Sequence, residues 1–508
     1  MLRRCIIAFA ILVTLIALFY TEEAWRGKRA WENYRSQLVA GGMQMALKDY
    51  LPPPVPDDQN FAMTPFLAPL YDFNPQPLQP GQSNWRDTNG FNRAMHFGQE
   101  VQDKSDPNAY FPEFDQKLDF GALLLRLQTR SKTSAPGLSY ASRADAAAEV
   151  LRKFAPYQPV LEELRTASRR PYARFNIDYA AEDTASILLP HLGTIRRIEK
   201  TVAYQASAEL AVGKADAAFD DVELMIFLAN SVRTEPILIS HLVRTRSLED
   251  ATEVIREGLE GHRWSDAQLQ KFQSGLEGLT LLKDLQRPQN AERIAMGNGT
   301  LELFRNHRPN YFANALGINP GGEVNLLWFF PTGWIYFEEL NYNQMLDDQL
   351  KSGCDFEAGV VHPRAIDAGN QEVQDLLAAG IGSRIWNHRL FATVMLPYSA
   401  RFVEKSAAAQ TAVDETALAC ALECYHHSNG KYPYTLAGLV PRFIASIPRD
   451  VITGEPLKYY RTDDGQFVLY SVGWNETDDG ATVVMKEDGK TVDSTKGDWV
   501  WPPYPNLE

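Results

Sequence analysis

The feature that most constrains this chain is its beginning, "MLRRCIIAFAILVTLIALFYTEE", in which an uncharged apolar run from Cys5 to Tyr20 is bracketed by Arg3 and Arg4 on one side and Glu22 and Glu23 on the other. A run of that kind must leave water. It is just short of the roughly 17 to 25 residues of a spanning helix, and it also has the size of a secretion-signal core. A cleavable signal places small residues just before the cut, whereas this run ends in Leu18, Phe19 and Tyr20. Residues 1–21 are therefore expected to be an uncleaved membrane anchor, with a cleaved signal as the alternative. Arg3 and Arg4 should stay in the cytoplasm under the positive-inside rule, although Arg26, Lys28 and Arg29 on the far flank oppose it. The expectation is a single-pass protein of the inner (cytoplasmic) membrane, with the bulk of the chain periplasmic.

The remainder of the 508 residues is long enough for two to four units at roughly 150 residues per domain. Lys and Arg total 50 against 64 Asp and Glu, a net charge of -14, so no general field attracts the phosphates of a nucleic acid. The membrane and unidentified proteins are the partners to expect. Cys5 lies in the anchor, which leaves Cys354, Cys420 and Cys424, so at most one internal disulfide can form, between Cys354 and one of the other two.

Residues 22–50 have helical spacing, with Trp25, Trp31, Tyr34 and Leu38 near one face, and read as a stalk helix. Residues 51–135 begin so rich in Pro that regular structure is unlikely to start there. Phe61, Phe66, Leu67, Leu70, Tyr71 and Phe73 make that stretch an extended strap laid over the next domain. Residues 136–395 form an α-helical domain of hairpins or a bundle. Around Gly213 and Ala218 one helix closes and another opens with small residues between them, which resembles a tetratricopeptide hairpin. The run Trp328, Phe329, Phe330, Trp334, Tyr336 and Phe337 reads as core, or else as a ligand groove.

Residues 396–508 have a different character. A long helix carries Val413, Ala417, Cys420 and Cys424 in one stripe and ends at Gly430. Two strands follow, joined across Asp463, Asp464 and Gly465, and the second, Phe467 to Val472, is apolar on both faces and should be central. Three segments in order, "ALECYHHSNGKYPYTLAGLV", "IPRDVITGEPLKYY" and "FVLYSVGWNETDDG", resemble the globular part of the major pseudopilins of type II secretion. The resemblance implies an α+β module, a long helix on a small antiparallel sheet, with a calcium-binding loop after the "Y-S-x-G" strand. Neither "MLRRC" nor the run after it supplies the Gly and Glu of a prepilin peptidase site, so assembly into a pilus by that route is not expected. The order of anchor, helical region and such an end also resembles a group of bacterial membrane-anchored proteins of unknown function. The fold class expected is thus multidomain and mainly α.

Asn475, Thr477, Asp478 and Asp479, with Glu476 beside them, offer the hard oxygens that calcium takes, and Asp493 or Asp498 could complete a shell. The same residues would also make an ordinary turn. Cys420, Cys424 and His427 share helical spacing suited to a soft metal, but three ligands lack a fourth. Arg169, Arg170 and Arg174 could grip an anion. The chain contains no G-x-x-x-x-G-K-[ST], H-E-x-x-H, G-x-S-x-G or G-x-G-x-x-G. The expected function is a membrane-anchored binding or scaffold protein. The alternatives are an extracytoplasmic enzyme with a site no motif marks, and an accessory of a secretion or pilus system.

Overall fold

The computed structural model describes residues 2–74, 83–101, 119–130, 140–179, 187–307, 331–487 and 492–501. The chain is mainly α-helical, with small antiparallel sheets near its C-terminal end and one long apolar helix at its start. That helix, α1 (Leu2–Ala40), joins the expected anchor and stalk without a break. Its most apolar 18-residue window has a mean hydropathy of 2.3, and none of it is buried. Beyond Tyr20 its surroundings change. Glu23, Trp31 and Leu38 are buried, and α1 packs along the helix Thr332–Gly353. Two glycines set the crossing: a Cβ on Gly27 would lie 2.3 Å from the Gly333 carbonyl oxygen, and one on Gly333 would lie 1.9 Å from that of Glu23. Only backbones fit there. The expected stalk is therefore one wall of the folded body.

The strap runs through single 3-10 turns at Asp57–Gln59, Phe61–Met63 and Ala68–Tyr71 instead of staying extended. Phe61, Phe66, Leu67 and Leu70 are wholly buried, as the density of large apolar groups requires. Tyr71 hydrogen-bonds His191 Nδ1, whose Nε2 lies 2.8 Å from Glu235 Oε1, and Ser240 bonds the same carboxylate. This buried chain ties the strap to the helices beneath. Two helices interrupt the region expected to be strap: α2 (Thr88–His96), capped by Asp87 on the Gly90 N–H, and α3 (Phe120–Arg130). Capping supplied a start that the Pro-rich composition of the region obscured.

The helical region continues as α4 (Arg143–Phe154), α5 (Gln158–Ala167), α6 (Pro190–Ala211), α7 (Ala215–Asn230), α8 (Leu238–Glu260), α9 (Asp266–Glu277), α10 (Leu281–Glu292) and α11 (Gly299–His307). The α6–α7 hairpin turns at Gly213, whose φ of 79° favours glycine, and Ala218 is fully buried beside it. Next come α12 (Thr332–Gly353), a two-stranded ribbon of β1 (Cys354–Asp355) and β2 (Val360–Val361), α13 (Pro363–Ala378) and α14 (Gly380–Trp386). The last helix, α15 (Leu390–Asn429), has 40 residues and is roughly 60 Å long. Gly430, at φ 69°, stops it.

Helix α15 is the spine of the body. Its first half, Leu390 to Ala407, packs in one core with residues of α10 to α13, and its second half, Ala409 to Cys424, packs in another with the strap and α5 to α9. The boundary expected at residue 396 falls inside this unbroken helix. Strands β3 (Lys458–Arg461), β4 (Phe467–Ser471) and β7 (Trp499–Trp501) form an antiparallel sheet in the order β3-β4-β7, so β4 is central, as its apolar faces predict. Leu469 and Trp501 enter the core beside the second half of α15. A separate ribbon pairs β5 (Val483–Met485) with β6 (Val492–Gly497).

Candidate functional site

The turn after β4 is held by its own residues. Gly473, at φ 70°, lets the chain pass Gly497, whose carbonyl oxygen would sit 2.4 Å from a Cβ there. Asn475 Nδ2 donates to Asp479 Oδ2 at 2.7 Å, and Asn475 Oδ1 accepts the Thr477 N–H at 3.0 Å. Asp478 turns the other way, accepting from Tyr470 at 3.0 Å and lying 3.5 Å from Lys458 Nζ. Backbone and hydroxyl donors hold its carboxyl below the usual range. Asp498 does reach the loop, where it accepts the backbone N–H groups of Asp479, Ala481 and Thr482 at 2.6 to 3.2 Å. Asp493 bonds Thr495 and Lys496 instead. As arranged, Asn475, Thr477, Asp478 and Asp479 brace a turn.

The motifs that carried the resemblance are bonded to one another. Asp450, nearly fully buried, accepts from Ser471 Oγ and the Ile452 N–H at 2.8 Å and from the Val472 N–H at 3.2 Å. Tyr459 donates to the Pro433 carbonyl at 2.7 Å, and Tyr432 to Glu423 at 2.8 Å. These contacts fix the sheet and its turns against α15.

Above that scaffold lies a cleft of about 260 Å³, with α8 and α15 as walls and strands β5 to β7 as floor. Its lining is charged. On α8, Arg246 pairs with Glu249 at 3.2 Å and Arg256 with Glu253 at 2.6 Å; on α15, Glu404 accepts from Ser494 at 2.7 Å. Glu415 is the exception. It is 4% exposed, its Oε1 has no hydrogen-bond partner among the described residues, and burial followed by repulsion from Asp450 and Asp414 raises its carboxyl well above the usual range. A carboxyl in that state holds its proton to a higher pH than an exposed one does. No spacing in the sequence marks it, since its neighbours come from α8 and the sheet.

The remaining candidates are dispersed. Cys354, Cys420 and Cys424 are free thiols; Cys354 packs in one core and the other two in the other, so the one disulfide the sequence allows does not form. Burial pushes the Cys354 and Cys424 thiols up to about 12. Neither Cys420 nor Cys424 joins His427, whose Nδ1 lies 2.6 Å from Asp266 Oδ1. Arg170 and Arg174 donate to the Asn60 and Pro52 carbonyls at 2.8 and 3.3 Å and so hold the strap. Of the aromatic run, Trp328, Phe329 and Phe330 lie outside the described residues. Trp334 and Phe337, on the first turns of α12, pack with the His388 ring at 5.2 and 5.0 Å. Compared with models of known protein families, with curated proteins and with solved structures, the chain finds no match.

Proposed function

We propose that this is a membrane-anchored binding or scaffold protein whose body stands outside the cytoplasm and whose charged cleft receives a polar ligand. The observation that carries it is α1, in which an unburied apolar segment is continuous with a helix built into the body through Gly27 and Gly333. A cut after the apolar run would end α1 within a turn of the Glu23–Gly333 contact, so an anchor that stays attached, and keeps the helix continuous there, suits the packing better than a removed signal. Arg3 and Arg4 favour the orientation. In spheroplasts, added protease should degrade the body while the outer face of the membrane is all it can reach. A body that survives until the membrane is lysed would place it in the cytoplasm and sink this reading.

Glu415 favours a second reading, an extracytoplasmic enzyme using acid–base chemistry, because a buried carboxyl with a raised pKa at the wall of a polar cleft is suited to donate a proton. A panel of hydrolase substrates tests it. Turnover that Glu415→Gln abolishes without unfolding the chain would support the enzyme; turnover unchanged in that variant would remove Glu415 from any mechanism.

A further inference from the structure

We propose that the corner between α8 and α9, with the last turns of α15, binds a divalent transition metal ion, zinc by the chemistry of its donors. His262, Glu423 and His426 each bring a ligand atom, and the three atoms lie within 4.8 Å of one another. His262 Nδ1 is 2.5 Å from Glu423 Oε1, and His427 Nε2 is 3.2 Å from the same oxygen. Two imidazoles thus lie on one carboxylate oxygen, and His426 stands within reach of it. Zinc at about 2.0 to 2.1 Å from nitrogen or oxygen donors in a tetrahedron holds them roughly 3.3 Å apart, so seating an ion needs side-chain rotations only.

The supports around these donors are those a metal site needs. Glu423, His426 and His427 are spaced i, i+3, i+4, which brings them to one face of α15. His262 comes from the other side, from a corner where its own φ is 47°, a left-handed conformation that a residue other than glycine seldom adopts. Beside the donors, Asp266 Oδ1 lies 2.6 Å from His427 Nδ1 and holds that ring next to Glu423 Oε1. Tyr432 donates to Glu423 Oε2 at 2.8 Å, which turns Oε1 toward the imidazoles. Glu423 is 3% exposed, and His426 has a buried Nδ1 without a hydrogen-bond partner among the described residues. The unpartnered His426 nitrogen is independent of the spacing and leaves a donor atom open to a cation. A set of imidazoles and one carboxylate suits zinc and similar ions, while calcium takes oxygen.

The test uses the full chain in mild detergent, stripped with a chelator and titrated with Zn²⁺ and, for its visible spectrum, Co²⁺. One ion per chain and a tetrahedral cobalt spectrum are expected. His262→Ala and His426→Ala should each weaken binding by roughly a hundredfold or more. His262 is half exposed, so its variant keeps the fold, which circular dichroism checks. A stripped chain that takes up no zinc, or zinc uptake indifferent to His262→Ala and His426→Ala, would overturn the proposal. Because neither outcome depends on where the body lies, it is separate from the reading of the anchor.

Discussion

Asp450 and Glu415 lie close together under the cleft and are supported very differently. Asp450 receives three hydrogen bonds, whereas Glu415 has one backbone donor, from Ser471, against two carboxylate neighbours. Removing the Asp450 acceptor by Asp450→Ala would leave the Ser471 hydroxyl and two amides unpaired in the interior. A loss of about 3 kcal/mol or more is expected in urea denaturation, and a midpoint unchanged from wild type would show the bonds to be worth little. For Glu415 the sign is set by its raised folded pKa. The unfolded chain gives up its proton near 4.5 and the folded chain does not, so this group's contribution to stability is complete below 4.5 and declines as pH rises, by about 1.4 kcal/mol per unit until the folded carboxyl ionises. Glu415→Gln should flatten that decline, and melting temperatures from pH 5 to 8 that fall equally in both proteins would refute it. Asp450 and Ser471 were legible in the sequence as parts of the quoted motifs, but Glu415 was not, because its burial comes from α8 and the sheet, which no spacing along α15 announces.

Helix α15 shows how far periodicity carries at the scale of an element. Its apolar stripe and its stop at Gly430 are readable, and both hold. What the stripe could not convey is that Leu418, Ala419, Cys420, Ala421 and Leu422, five in succession, are all buried, since α8 and α9 cover one side and the sheet another. A helix apolar all round belongs inside a body, which is why residues 396–508 share cores with the helices before them. The meeting of α1 with α12 was hidden for a different reason: one glycine in each of two helices says nothing about its partner 300 residues away. Gly333→Leu should push the helices apart. Amide hydrogen exchange over residues 23–38 is expected to quicken and stability to fall by about 1 to 3 kcal/mol. Unaltered exchange there would mean that the close backbone contact does not hold α1 in place.

The whole molecule has an orientation once α1 is read as an anchor. Glu23, three residues past the apolar run, touches Gly333, so the start of α12 lies about 5 Å along the axis from the end of that run. Beside it, Asn341 donates to the Asn387 and His388 carbonyls at 3.1 and 2.8 Å, and the His388 ring stacks on Phe337, which brings α14 to the same level. Helix α14 then presents Ile381 and Trp386, 50% and 75% exposed, and α1 presents Trp25 at 60%, with Arg384 and Arg29 respectively nearby in sequence. Exposed tryptophans with arginines at the height where a chain leaves the bilayer are what a lipid interface selects. The readout of such contacts is optical: in vesicles of lipids brominated on their acyl chains, wild-type fluorescence should be quenched by more than that of Trp386→Phe, because the lost indole is one of those within reach of bromine. Equal fractional quenching in the two proteins would lift α14 off the membrane, and flotation of both with the vesicles would show that α1 still anchors them.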